Sequence, residues 1–286
     1  SKERCTRSSY QEVGGRLMPR STIKGPQDGG IIFNEGSADV DFRVESDDNA
    51  NMLVVDANDN RVLVGTSTVS AYANRMMTVG DAATADVSIE IRSDEHSQLI
   101  FSDGSAANDD SQRGYIIYDH TDENFKFGVN ALEFMRAHSI GAITKPLQPA
   151  FCVQKSGQQV NFSINSYVDV VFDDERFDQN GDFSSNTFTA PVTGRYQLGA
   201  SIMLQNVDTA ANYYQVGIVT SNHNYFWTYD PGGLSGDISY LQGEVNLIAD
   251  MDANDTAKVV VYQNGGAAQS DISYDTDSVF SGFLVC

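Results

Sequence analysis

The sequence predicts an all-β chain: a thin shaft of small β-repeats followed by a denser two-sheet sandwich of jelly-roll type. Three observations carry this. Apolar residues come in short bursts separated by Asn, Gly and Asp turns; the second half alternates apolar and polar residues strictly; and no helical apolar stripe exceeds ~two turns.

Residues 1–30 hold Arg4, Arg7, Arg16, Arg20 and Lys24 among Gly, Ser and Pro, and are expected to form a basic, irregular attachment arm. The opening SKERCTRSSY has neither an initiating Met nor a signal peptide's apolar region, so a processed or partial product is expected.

Residues 31–143 supply the shaft. The bursts are IIF at 31, MLVV at 52, VLV at 62, LIF at 99, YIIY at 115 and FKF at 125, each long enough for one short strand. FRVESDDNANMLVVD (42–56) aligns without gaps to IEIRSDEHSQLIFSD (89–103), which reads as an internal repeat. Units this small must bury their apolar faces on neighbours or on other copies of the chain.

Residues 144–150, at the end of the stretch AHSIGAITKPLQPA, contain Pro146 and Pro149 and predict a stiff linker. Residues 151–286 then read as one domain. Tyr196, Leu198, Ala200, Ile202 and Leu204 share a strand face, as do Leu241, Val245, Leu247 and Ala249. Further strands are expected at 151–155, 159–163, 167–172, 213–220, 257–263 and 279–285. In the last, both faces are apolar, Val279, Phe283 and Val285 on one and Phe280 and Leu284 on the other, so a second cover beyond the domain core is required.

The 286 residues carry 18 Lys and Arg against 39 Asp and Glu, a net charge of −21. That disfavours nucleic acid, whose phosphates need clustered cations, and suits a salty or extracellular medium that screens the repulsion. No apolar run is long enough to span a bilayer, so membrane insertion is not expected. Cys5, Cys152 and Cys286 form no CxxC pair and hence no zinc or redox motif.

No catalytic constellation is visible: GxSxG, HExxH and a phosphate-cradling glycine loop are all missing. Acid pairs such as Asp109–Asp110 and Asp173–Asp174 are too numerous to single out a glycosidase pair. His120, between Asp119 and Asp122, fits a turn better than a metal or base site. DMDANDT (250–256) begins like a calcium loop but has Asp255 where glycine is needed and Val261 where the bidentate Glu is needed, so a hairpin turn is expected. The segment NHNYFWTYDPGG (222–233) reads as a loop. It displays Tyr225, Phe226, Trp227 and Tyr229, rings of the kind used for sugar stacking and protein hot spots, and these are the expected receptor-binding residues.

The run VVFDDERFDQNGDFSSNTFTAPVTGRYQL (170–198), EVNLIADMDANDTAKVVVYQ (244–263) and DSVFSGFLV (277–285) resembles the globular head of the complement C1q and tumour necrosis factor superfamily. The resemblance covers the second half only, and the loop at 221–237 departs from it. It implies a ten-strand jelly roll assembled as a homotrimer, with the FSGFLV strand near the threefold axis and Phe280, Phe283 and Leu284 at the interface. It also makes the first and last strands neighbours, which implies a Cys152–Cys286 disulfide or at least a buried contact between the two thiols. No cofactor is singled out; calcium is the ion that Asp and Asn oxygens of the loops or of the trimer axis would suit, with the metal-binding residues unknown. Within FTAPVTGRY (188–196), Phe188 and Tyr196 are expected to fill the core, Pro191 to sit at a bend and Gly194 to supply a turn backbone.

SDDNANMLVVDANDNRVLVGTST and FSDGSAANDDSQRGYIIYDHTDENFKFGVNALEFMRA resemble bacteriophage tail-fibre and virion appendage segments. Together the resemblances imply a virion structural protein: a trimeric tail fibre docked on other virion proteins through its arm, with a head that binds a host surface glycan or protein. The alternatives are an extracellular bacterial adhesion or matrix protein and a capsule polysaccharide depolymerase.

Overall fold

The computed structural model describes residues 41–68, 76–80, 86–104 and 112–286, together with the backbone of 11–13 and 16–18. Most of the expected arm, with Arg4, Arg7, Arg20, Lys24 and Cys5, lies outside the described residues, as do the burst at 31 and Asp109–Asp110. What is described of the arm is the antiparallel pair β1 (Gln11–Val13) and β2 (Arg16–Met18).

The chain divides into two units, 1–90 and 91–286. The first contains β3 (Phe42–Val44), β4 (Leu53–Asp56), β5 (Arg61–Val64) and β6 (Met77–Val79), hydrogen-bonded in that order, with β5 and β6 parallel. Val54 and Leu63 face each other across β4 and β5 and are buried, while Val44, Val55 and Met77 stay exposed. Among the described residues of this unit Val54 and Leu63 are the buried apolar side chains.

The second unit opens with β7 (His96–Phe101), β8 (Gly114–Asp119), β9 (Asn124–Val129), β10 (Leu132–Ala137) and β11 (Ile143–Thr144), an antiparallel meander. Register and alternation place Leu99, Ile116 and Phe127 in one row and Phe101, Gly114 and Val129 in the next, all on one face. The expected repeat is not a structural one. Residues 42–44 form a strand that pairs with 53–55, whereas 89–93 form none, and Ser97 Oγ instead donates to the Ile91 carbonyl at 2.8 Å.

The rest of the unit is a sandwich. Its strands are β12 (Ala150–Lys155), β13 (Val168–Asp169), β14 (Asp174–Asp178), β15 (Phe183–Ser184), β16 (Thr187–Thr189), β17 (Gly194–Val207), β18 (Ala211–Thr220), β19 (Asn224–Tyr229), β20 (Ile238–Met251), β21 (Thr256–Gly265), β22 (Asp271–Ile272) and β23 (Asp275–Leu284). One sheet has the order β14-β12-β23-β17-β20 and the other β15-β16-β21-β18-β19, with β22 and β13 attached to β17 and β21. The chain crosses repeatedly from one sheet to the other, among other places at β14–β15, β16–β17, β17–β18, β19–β20 and β20–β21, the connectivity of a jelly roll. The strand expected at 159–163 shrinks to a single bridge, Gln159 to Ile272, because Asn161 is in the left-handed region and turns the chain.

The alternation read in the sequence sets the core. Tyr196, Leu198, Ile202 and Leu204 of β17 meet Tyr214, Val216 and Ile218 of β18 and Val259 and Val261 of β21, all fully buried. At one end Phe151 stacks on Phe183 (5.4 Å) and Phe188 (4.8 Å) and meets Phe280 edge-on (5.0 Å), geometries that aromatic pairs favour. Among the described residues no helix is long and apolar enough to cross a membrane.

Candidate ligand-binding surface

FTAPVTGRY joins the two sheets. Phe188 and Tyr196 are both in the core, 5.4 Å apart, and Tyr196 Oη donates to the Val192 carbonyl at 2.7 Å, tying the bend to the strand that follows. Pro191 and Val192 are at the exposed bend. Gly194 has no left-handed φ, so the expected turn role is replaced by close approach. A Cβ there would lie 2.7 Å from the Cys286 carbonyl oxygen and 2.8 Å from Leu284 Cδ1.

Pro191, Val192, Leu284, Val285 and Cys286 line an open groove of about 660 Å³ with Phe134, Lys145 and Leu147. Asp182 also lines it, and burial, reinforced by the charge of Asp178, raises its pKa.

The aromatic segment at 224–229 is an edge strand and not a loop. Residues 224 to 229 pair residue for residue with β18, which fixes alternate rings on opposite sides. Tyr225 and Trp227 pack against the core, and Tyr229 stacks on Trp227 at 5.8 Å with planes 5° apart. Only Phe226 of the four expected receptor-binding residues points to the outer face, with its ring over Gly217. A Cβ on Gly217 would fall 2.3 Å from Phe226 Cδ1.

On that outer face Phe226 begins a row. Tyr167 stacks on it at 5.4 Å, Tyr262 follows at 4.7 Å from Tyr167, and Tyr213 at 5.9 Å from Tyr262, with successive planes turned by 27°, 39° and 26°. Tyr167, 53% exposed, comes from the segment before β13; Tyr262 and Tyr213 are outward residues of β21 and β18. Tyr167 Oη donates to Gln215 Oε1 (2.9 Å), Gln215 Nε2 to Thr228 Oγ1 (3.1 Å), Asn264 Nδ2 to Tyr262 Oη (3.2 Å) and Asn212 Nδ2 to Asn264 Oδ1 (2.7 Å). Burial and the neighbouring Tyr213 and Tyr262 raise the Tyr167 pKa, so its hydroxyl stays protonated. Lys258 at the border is paired with Asp169 at 2.8 Å.

The row went unread in the sequence because its members come from four separate segments. A usable signal did exist: Tyr213 and Tyr262 occupy the outward phase of strands whose inward phase is Val and Ile, where polar residues are usual.

Of the three residues expected at a subunit contact, only Phe283 is on the outer face of the opposite sheet. Phe283 is outward and 51% exposed, and Phe177, Ile248 and Val285 are exposed too. Phe280 must be corrected: it is fully buried in the core against Phe151 and takes no part in an outer surface. Leu284 likewise turns inward and packs on the core edge.

The cysteine pair is corrected too. β12 and β23 are antiparallel neighbours as implied, but their register puts Cys152 opposite Ser281. Cys286 lies past the end of β23, beyond the ~7 Å Cα separation that a disulfide tolerates, and both thiols are free.

His120 sits in a turn, its Nε2 3.0 Å from Ser97 Oγ. The adjacent Asp119 accepts from Lys126 Nζ (2.7 Å) and from the backbone N–H of Thr121 (2.9 Å). The Lys126 hydrogen bond above all holds the Asp119 carboxyl well below the usual carboxylate range. Residues 252–255 form a turn closed by Asp255 N–H to the Asp252 carbonyl at 3.0 Å. The turn carries the chain between sheets and so is not a hairpin. Among the described residues no three His, Cys, Asp or Glu side chains are grouped as a metal site.

No family model matches the chain, and no curated protein does. Solved structures do. The globular domain of zebrafish complement 1qA protein is 16% identical over 49% of this chain and 98% of its own, with a TM-score of 0.37. Murine APRIL at pH 8.0 is 9% identical over 48% of this chain and 99% of its own, with a TM-score of 0.35.

Proposed function

We propose that the chain is a virion structural protein, a homotrimeric tail fibre whose C-terminal head binds a receptor on a host surface. In this reading it attaches and does not catalyse. Weak contacts from three heads and several fibres add through effective concentration.

The observation that carries the reading is apolar surface that no second layer covers among the described residues, in both parts of the second unit. In the meander, Leu99, Phe101 and Val129 share one exposed face; on the sandwich, Phe177, Phe283 and Ile248 do. Patches of this kind on a soluble chain mark contacts with other chains, and copies related by threefold symmetry cover both at once. The resemblance of residues 40–140 to appendage segments supports the virion setting.

Light scattering on the full chain tests it. The expected mass is about three times the 31.2 kDa of one chain, and Phe283→Asp should dissociate the assembly, because a charge would be buried without a partner. A wild-type monomer in native buffer would remove the trimer, and particles unlabelled by an antibody to this chain would remove the virion setting.

A further inference from the structure

We infer that the outer face of the β15-β16-β21-β18-β19 sheet is a carbohydrate-binding platform, on which a neutral glycan chain lies along the row Phe226, Tyr167, Tyr262 and Tyr213. This rests on the attachment reading above and names its ligand class and site.

The row is more than leftover packing. Its rings are on the side of the sheet away from the sandwich core, where outward strand positions are ordinarily polar. They touch in sequence at 5.4, 4.7 and 5.9 Å with small turns between planes, so they form a continuous strip. Gly217 gives up strand propensity, and its missing Cβ is what lets the Phe226 ring lie against the backbone.

The polar groups interleaved with the rings are of the kind that sugar hydroxyls need. Gln215 and Asn264 present amides between the rings, and the Tyr167 and Tyr262 hydroxyls are held by those amides. Such a mixture of flat apolar faces and neutral donors and acceptors fits the two sides of a pyranose ring.

Charge selects among glycans. The strip's own side chains are uncharged, its bordering cation Lys258 is neutralised by Asp169, and the chain carries a net −21. A sialylated or otherwise acidic glycan would be repelled, leaving a neutral one.

The test measures binding of the full chain to immobilised neutral oligosaccharides of glucose, galactose, mannose and N-acetylglucosamine, with a sialylated oligosaccharide alongside. At least one neutral probe should bind. Tyr167→Ala and Tyr262→Ala should each weaken it about tenfold or more, Tyr262→Phe should retain it, and Tyr240→Ala on the other sheet should leave it unchanged. Unaltered Trp227 emission shows that each variant is folded, and Tyr213→Ala at the end of the row replaces any that is not. Binding to no neutral probe, a preference for the sialylated one, or alanine variants that bind like wild type would each overturn the platform. Adsorption to a panel of bacterial strains separates the two readings. Strains that adsorb Tyr167→Ala as well as wild type overturn the platform and leave attachment standing. Probe binding without adsorption to any strain overturns attachment and leaves the platform.

Discussion

Gly282, in the FSGF segment of β23, should be a position where one methyl group costs stability. A Cβ there would lie 2.7 Å from Leu198 Cδ2, 2.8 Å from Phe151 Cε1 and 3.0 Å from the Gln197 carbonyl oxygen. The two side chains are fully buried and cannot swing aside, since Phe151 is packed between Phe183, Phe188 and Phe280; the third neighbour is backbone of the paired strand β17. Overpacking of this sort costs about 1–3 kcal/mol, and replacing glycine in a strand returns about 0.5–1, so Gly282→Ala should lose roughly 0.5–2 kcal/mol. Gly157 makes the opposite case. Nothing lies within 4 Å of its added Cβ and its φ is not left-handed, so Gly157→Ala should gain about 0.4–1 kcal/mol from the unfolded state. Urea unfolding followed by Trp227 fluorescence reports the sandwich alone, because this is the one tryptophan and it packs on the sandwich core. At fixed chain concentration the Gly282→Ala midpoint should fall by roughly 0.3–1 M with unchanged slope, and the Gly157→Ala midpoint should rise. A Gly282→Ala midpoint at or above wild type would refute the close-packing account of this glycine.

Three further outcomes follow from buried polar contacts. Tyr196→Phe should cost about 1 kcal/mol in the same assay, since it leaves the Val192 carbonyl without its donor while keeping the ring. Asp208 accepts the N–H groups of Ala210 (2.8 Å) and Ala268 (2.7 Å) and that of Ala267, which, with the Ala268 bond first, lower its pKa; Asp208→Asn should cost about 1–3 kcal/mol in denaturation midpoint. Asp119, its pKa lowered chiefly by Lys126, contributes stability that is complete above the unfolded carboxylate pKa of about 4 and is lost as pH falls from there toward its lower folded value. Hydrogen-exchange protection in the β8–β9 hairpin, taken relative to the intrinsic exchange rate at each pH, should fall over that range in wild type, and much less so in Lys126→Met.

Much of the sandwich was legible because burial imposes a period. Tyr196 to Leu204 alternate so strictly that only a strand with one buried face fits, and the long β17 is there. β14 was not legible: DERFD lies at a sheet edge, largely exposed, and nothing there obliges the sequence to alternate. β19 was misread for a related reason. Flanking Asn222, His223 and Gly232 look like loop chemistry, and a strand that is half core and half surface shows aromatic residues in both phases. Phe280 illustrates the limit of a doubly apolar strand: periodicity separates its faces but does not say which one the domain keeps. The outer aromatic row was least legible, because register and loop placement, and not neighbourhood in sequence, bring Tyr167, Tyr213, Tyr262 and Phe226 together.

The pairing of β12 with both β23 and β14 also has a mechanical meaning. The chain enters the sandwich at Ala150, and tension drawn through that point along the domain acts lengthwise on β12, whose partners flank it from Phe151 to Gln154 on both sides. Loaded in shear, those ladders share the force and must give way together, whereas a strand peeled from one end would release its bonds in turn. A domain held this way resists being opened by a pull on its N-terminal end.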